Sequence, residues 1–233
     1  MSKSDQKIIV VNKNVLFENG NYFEGFRFAN EINYESIILE NMEIMRRGST
    51  SEPVNHLLGN AEMNYFFKQP IGYAVVANLS RGKVFAYQRS SNDKEYREKR
   101  LQGKWSWGFG GHIEPFDIEN GNPIRESMLR EVTREELEIN GKISSLNILG
   151  YINDDAQRDE DTKVGRVSIG RVHFGILYLL DTDSIEVKPN KEATIVVAKT
   201  ISELEELCLT SGVEVEEWSR IALQPLKKYF NYV

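Results

Sequence analysis

Residues 110–138 read GGHIEPFDIENGNPIRESMLREVTREELE, and no other stretch restricts the chain as much. A Gly-Gly pair closes a strand-like run at residues 104–109, a polar loop follows, and then comes a helix crowded with carboxylates. With Ile124 as the zero of a helical wheel, Met128, Leu129 and Val132 occupy an arc of roughly 140°. Glu131 and Glu135 fall at its edge, at about −20° and +20°, one turn apart on one face. Two like charges beside a core are costly unless a cation neutralises them. A shared hard divalent ion is the natural neutraliser. Glu138, near −40° on the same wheel, would add a third carboxylate if the helix runs that far. A solvated helix with surface ion pairs is the plainer use of such residues. The glycines weigh against it, because Gly110 and Gly111 let backbone carbonyls approach an ion closely.

The acidic balance narrows the partners. A formal net charge of −6 and a sequence pI near 5.3 disfavour non-specific binding to nucleic acid or an anionic membrane. For a polyphosphate ligand, bound metal must then supply much of the positive charge. The single cysteine, Cys208, excludes an intramolecular disulfide and fits a reducing, cytoplasmic location. It lies in an apolar helical pattern and reads as packing. The opening MSKSDQK lacks the apolar core of a signal peptide, and no apolar run is long enough to span a membrane.

The remaining pattern alternates strands with helices. Residues 7–17 read as a strand or bent pair, and residues 34–47 as an amphipathic helix capped by Asn33. Residues 71–78 and 83–88 form a hairpin around Ser80-Arg81-Gly82. Residues 146–152, 172–180 and 194–198 are further strands, the second apolar on both faces and therefore central. Ser202 starts a helix in capping-box form, and a last helix at residues 215–229 should bend or break near Pro225. The expectation is an α/β sandwich around a mixed sheet, with an N-terminal α+β extension at residues 1–66 and the main domain at residues 67–233.

The glycine–helix stretch resembles a Nudix box, G-x5-E-x7-R-E-U-x-E-E-x-G-U with U aliphatic. Gly111 matches the leading glycine, Asp117 takes the place of the first glutamate, and Arg130-Glu131-Val132 matches R-E-U. Glu135 matches the second glutamate of the E-E pair. Five extra residues lie between Asp117 and Arg130. Arg134 stands where the first glutamate of the pair belongs, and Leu137-Glu138 replaces the G-U ending.

The resemblance implies the Nudix hydrolase fold and a phosphoesterase of MutT-like type acting on acid anhydrides. The reaction would be metal-dependent hydrolysis of a pyrophosphate bond in a nucleoside diphosphate linked to another moiety. Mg²⁺ or Mn²⁺ would be held by Glu131, Glu135 and the Gly110 carbonyl. Glu131, Glu135 or Glu192 would accept the water proton. Asp117 and Arg130 would pair to fix loop to helix. Arg89, Trp105, His112 and Arg171 are the candidates for binding substrate, and Glu114 would either help the site or hold the loop. The loop carrying Asp154, Asp155, Asp159, Glu160 and Asp161 is another acidic candidate, although a solvated connection is its simpler reading. His173 reads as a satisfied core histidine. The expected partner is a small nucleotide, with no duplex nucleic acid, no membrane and a homodimer as an allowed assembly. A nucleotide-binding sensor module without hydrolysis is the alternative.

Overall fold

The run VHFGILYLL has no polar face to offer water, and it becomes a strand buried along almost its whole length, His173–Thr182. The computed structural model describes residues 3–50, 52, 59–91, 100–156, 168–189 and 193–232. Its strands are β1 (Lys7–Asn12), β2 (Gly25–Phe28), β3 (Met42–Arg46), β4 (Phe67–Asn78), β5 (Lys83–Arg89), β6 (Trp105–Ser106), β7 (Leu137–Ile139), β8 (Ile143–Asn153), β9 (His173–Thr182), β10 (Val187–Pro189) and β11 (Ala193–Lys199). Helices alternate with them, so the fold class is α/β as the sequence implies. The chain divides into two units. One comprises Met1–Gly72, Gly111–Ser127 and Gly150–Ile176; the other comprises Tyr73–Gly110, Met128–Leu149 and Leu177–Val233. Residues 1–66 are therefore grouped with two later segments. In strand order β9 lies between β4 and β8.

In the first unit, β1 buries Ile8, Ile9, Val10 and Val11 and pairs antiparallel with β3, Ile9 opposite Ile44. The helix expected over residues 34–47 stops at Asn41. Its second half becomes β3, because Met42 to Arg46 complete the hydrogen bonding of β1. Tertiary pairing has overridden a helical spacing of apolar residues. Asn33 caps the shortened helix by accepting from the Ser36 N–H. Phe17, Phe23, Tyr34 and Phe174 pack as a ring cluster, with centroids 5.2–6.3 Å apart. Such ring pairs add about 0.5–1.5 kcal/mol each beyond burial. Gly150 is required where β2 crosses β8, since a Cβ there would lie 2.1 Å from the Arg27 carbonyl oxygen.

A charge lies in this unit's interior. Lys68 is fully buried, and its ammonium donates to Asp155 Oδ1 at 2.7 Å, the Gly170 carbonyl at 2.8 Å and the His173 carbonyl at 3.2 Å. Lys13 approaches Asp155 Oδ2 at 2.6 Å. Burial pulls the Lys68 pKa down to about 8 against the attraction of Asp155. The same burial pushes the Asp155 carboxyl up, but Lys68 and Lys13 outweigh it and its net shift is downward.

In the second unit, the expected hairpin forms between β4 and β5, Ala77 opposite Val84. Gly82 turns it in the left-handed region (φ 61°), and the Asn78 side chain accepts from the Arg81 N–H. Strand β5 also pairs with β11 and β6, all antiparallel, while Trp105 makes one parallel bridge to Val215. Gly108 is needed because a Cβ there would meet the Tyr73 ring at 1.9 Å. The capping box of the helix Ile201–Leu209 uses Thr200 and Glu203, two residues earlier than the Ser202 reading. The last helix, Glu217–Tyr232, carries Pro225 inside it without ending there.

Removing one member of a buried ion pair leaves an uncompensated charge. Asp155→Asn should cost about 3–5 kcal/mol in urea denaturation at neutral pH. An effect within error would remove this pair from the account of stability. The folded pKa of Lys68, about 8, lies below its unfolded 10.5. Between those values the unfolded chain holds more protons, so stability from this residue rises with pH. The wild type should gain on Lys68→Met across that window, and a flat or falling difference would contradict the burial argument.

Candidate functional site

The acidic helix begins as the wheel requires. Asn122 Oδ1 accepts from the Ile124 N–H at 3.0 Å and the Arg125 N–H at 3.3 Å, and Pro123 occupies the first turn. Ile124, Met128 and Val132 are fully buried. The α-helix then ends at Arg130, and Glu131–Glu136 continue as a π-helix. In a π-turn the bond runs from i to i+5, so each turn takes one more residue. Residues five apart, not four, then come near the same face. Glu136 accordingly faces Gly110, and its Oε2 accepts from the Gly110 N–H at 3.0 Å. The Glu135 side chain is 53% exposed, against 14% for Glu131, so the expected partial burial of Glu135 does not hold.

This changes the reading of the motif. If the widened turn carries one additional residue, Arg130-Glu131-Val132 is followed by Glu135-Glu136 as the adjacent pair. Arg134 is then the residue the π-turn absorbs and no longer stands in a ligand's place. It is exposed. Glu136 was missed because a 100° wheel cannot anticipate a wider turn. The adjacent pair Glu135-Glu136, one residue out of register, was the available signal. Glu138 does not join the helical face. It lies in β7 opposite Lys188 of β10.

The Arg130 guanidinium binds both neighbouring carboxylates, Glu131 Oε1 at 2.8 Å and Glu135 Oε1 at 2.6 Å. Of the three carboxylates on this short helical segment, two are bound by the Arg130 guanidinium and the third by a backbone N–H. All the donors are oxygens, the set that Mg²⁺ or Mn²⁺ prefers. With the Gly110 carbonyl they fit a hard divalent ion.

The other expected site residues are distributed as follows. Gly111 opens the segment 111–127 in the first unit. There Asp117 is buried and closes a capping box with Glu114, accepting from the Glu114 N–H at 2.8 Å. Asp117 is thus in the first unit and Arg130 in the second, each with partners inside its own unit. His112 is half-buried, its Nε2 2.6 Å from Gln69 Oε1. Arg171 lies over the Tyr65 ring at 5.3 Å. Asp155 serves the internal pair with Lys68, and Asp154 is buried. In the second unit, Arg89 is buried and ion-paired with Glu216, which ties up its guanidinium. Trp105 is partly exposed and lines a cavity of about 340 Å³ with Gln88, Gln102, Gly103, Val213 and Glu214. Trp107 and Phe109 are core residues, Phe109 stacked on Tyr87 at 4.5 Å. Glu192, Asp159, Glu160 and Asp161 lie outside the described residues. No helix among the described residues is long and apolar enough to cross a membrane.

No protein-family model matches the chain. Protein YmaB of Bacillus subtilis (strain 168) is 30% identical over 241 residues, spanning 97% of this chain and all of that protein. Among solved structures, Tm1382, provisionally assigned as a Nudix hydrolase, is similar over 98% of this chain and all of its own, with a TM-score of 0.65 and 22% identity. At that identity the likeness is one of fold, and it extends to the residues before position 67.

If the π-turn sets the ligand face, Glu136→Gln should weaken Mg²⁺ binding in calorimetric titration by about tenfold or more, a loss of ~1.4 kcal/mol. Arg134→Ala and Glu138→Gln should stay within about twofold, as surface changes do. The reverse ranking would restore the regular-helix reading.

Proposed function

The chain belongs to the same family as Protein YmaB and has the Nudix hydrolase fold, and on that footing we propose that it is a metal-dependent pyrophosphohydrolase. The substrate class is a nucleoside diphosphate linked to another moiety. The observation that carries this reading is the Glu131, Glu135 and Glu136 cluster on the π-turn, with Gly110 against Glu136. Glu131, Glu135, Glu136 and the Gly110 carbonyl would hold Mg²⁺ or Mn²⁺. When bound, the ion neutralises the diphosphate and lowers the pKa of water beside it.

The chain's own residues do the rest. Arg130 holds Glu131 and Glu135 beside each other. The Gly110 N–H fixes the orientation of Glu136. In the reaction a water oxygen bonds to phosphorus, the bridging P–O bond breaks, and a phosphate monoester leaves. The water proton passes to one of these glutamates, or to Glu192. The cavity beside Trp105 supports a place for the nucleoside end. An indole face accepts any base by stacking. Arg89, held by Glu216, is better suited to supporting this wall than to gripping phosphate.

A Mg²⁺-dependent screen over nucleotide sugars, dinucleoside polyphosphates, ADP-ribose, NADH and (d)NTPs tests the reading. Turnover of at least one class is expected. Glu131→Gln and Glu136→Gln should each lower kcat by roughly 10²–10⁴-fold with the fold intact by circular dichroism. Binding without turnover would replace the enzyme with a sensor, and neither binding nor turnover would reject both.

A further inference from the structure

Three separate segments of the first unit bring nitrogen and oxygen donors to one point. Glu62 comes from the short turn Ala61–Met63, His112 from the residue after the glycine pair, and His173 from the start of β9. One ligand atom of each lies within 4.8 Å of the other two. Glu62 and His173 are buried, and His112 is half-buried. Nothing in the diphosphate chemistry proposed above uses this cluster. Its donors are also of a different kind, two imidazoles and one carboxylate in place of oxygens alone.

His173 and Glu62 are held as metal ligands are, while His112 would exchange its Nε2 contact with Gln69 Oε1, 2.6 Å away, for the ion and take the other tautomer. His173 donates its Nδ1–H to the Ile169 carbonyl at 2.8 Å, which leaves Nε2 as the lone-pair nitrogen of the neutral ring. That Nε2 faces His112 Nε2 at 3.3 Å. Two nitrogens bound to one ion at about 2.0–2.1 Å and a tetrahedral angle are ~3.3–3.4 Å apart. Arg47 holds one oxygen of Glu62, Nε to Oε1 at 3.0 Å, and so fixes the carboxylate's direction. Gln69 supplies an independent observation. It is fully buried, its Oε1 is 2.6 Å from His112 Nε2, and its amide nitrogen has no hydrogen-bond partner. A fully buried polar side chain with an unmet amide is costly in a closed core. Its N–H groups would be met by the oxygen of a water or an anion held in the site.

We propose that Glu62, His112 and His173 form a site for one divalent transition-metal ion of the zinc class. Two imidazole nitrogens and one carboxylate oxygen suit Zn²⁺, Co²⁺ or Fe²⁺ far better than Mg²⁺. Three protein ligands leave a fourth position, next to Gln69, for water or an anionic group.

Co²⁺ is the probe, because its visible d–d absorption reports nitrogen ligation independently of any enzymatic turnover. The full-length protein should bind one equivalent with imidazole-type absorption. The Glu131→Gln/Glu136→Gln double variant should keep that spectrum. This separates the site from the carboxylate helix whether or not the hydrolase reading stands. His112→Ala and His173→Ala should lose it, and Arg47→Met should weaken binding by about 10–100-fold, as loss of a ligand's orienting partner does. Zn²⁺ should raise the melting temperature of the wild type and not that of His112→Ala. The proposal is overturned if the wild type shows no imidazole-type spectrum. It is equally overturned if the spectrum vanishes in the Glu131→Gln/Glu136→Gln variant, or persists unchanged in His112→Ala.

Discussion

Three carboxylates on one helical segment repel one another, and the arrangement around residues 130–136 follows from how that repulsion is met. A regular helix would keep Glu131 and Glu135 on one face and turn Glu136 about 100° away from Glu135. The π-turn gathers them differently: Glu136 turns to the Gly110 N–H, while Arg130 takes Glu131 and Glu135. The widened turn closes at Leu137, which enters β7 and buries its side chain. Backbone geometry, charge balance and the glycine pair thus act on the same few residues. π-turns are costly relative to α-helix and recur where function requires them. Here the cost is matched by oxygen donors placed where a hard cation can bind.

Much of this was legible in the amino-acid sequence. Gly110-Gly111 before an acidic helix, the buried positions Ile124, Met128 and Val132, the Ser80-Arg81-Gly82 hairpin and the doubly buried strand β9 all follow from local rules of spacing and turn chemistry. What the sequence hid has a common physical origin in long-range partners. The chain past Asn41 becomes β3 because β1 supplies its hydrogen bonds. The acidic loop's Asp155 turns inward because Lys68, 87 residues earlier, needs a counter-charge. His173, which fits a core strand, also meets His112, a residue 61 positions away. The π-turn was hidden for a different reason. One extra residue leaves composition and hydrophobic pattern almost unchanged while rotating every carboxylate after it.

The two units therefore carry two donor chemistries. The second presents oxygen ligands on an accessible helix, suited to a weakly held Mg²⁺ that arrives with its phosphate. The first holds two imidazoles and a buried glutamate braced by Arg47, suited to a tightly held ion of the zinc class. The first unit also encloses the Lys68–Asp155 pair, so its interior is rich in fixed charge for a region of β-branched and aromatic packing. Buried charge of this kind constrains which strands can be neighbours, since a slipped register would leave an ammonium without its carboxylate.

The central claim is that the π-turn carboxylates hold the divalent ion that hydrolyses a diphosphate. Anomalous diffraction from crystals soaked with Mn²⁺ and a non-hydrolysable nucleoside diphosphate derivative tests it most directly. The account predicts a manganese peak bounded by Glu131, Glu135 or Glu136 and the Gly110 carbonyl, with phosphate oxygens completing its shell. A nucleotide bound without manganese at those carboxylates, or manganese found only at Glu62, His112 and His173, would contradict it.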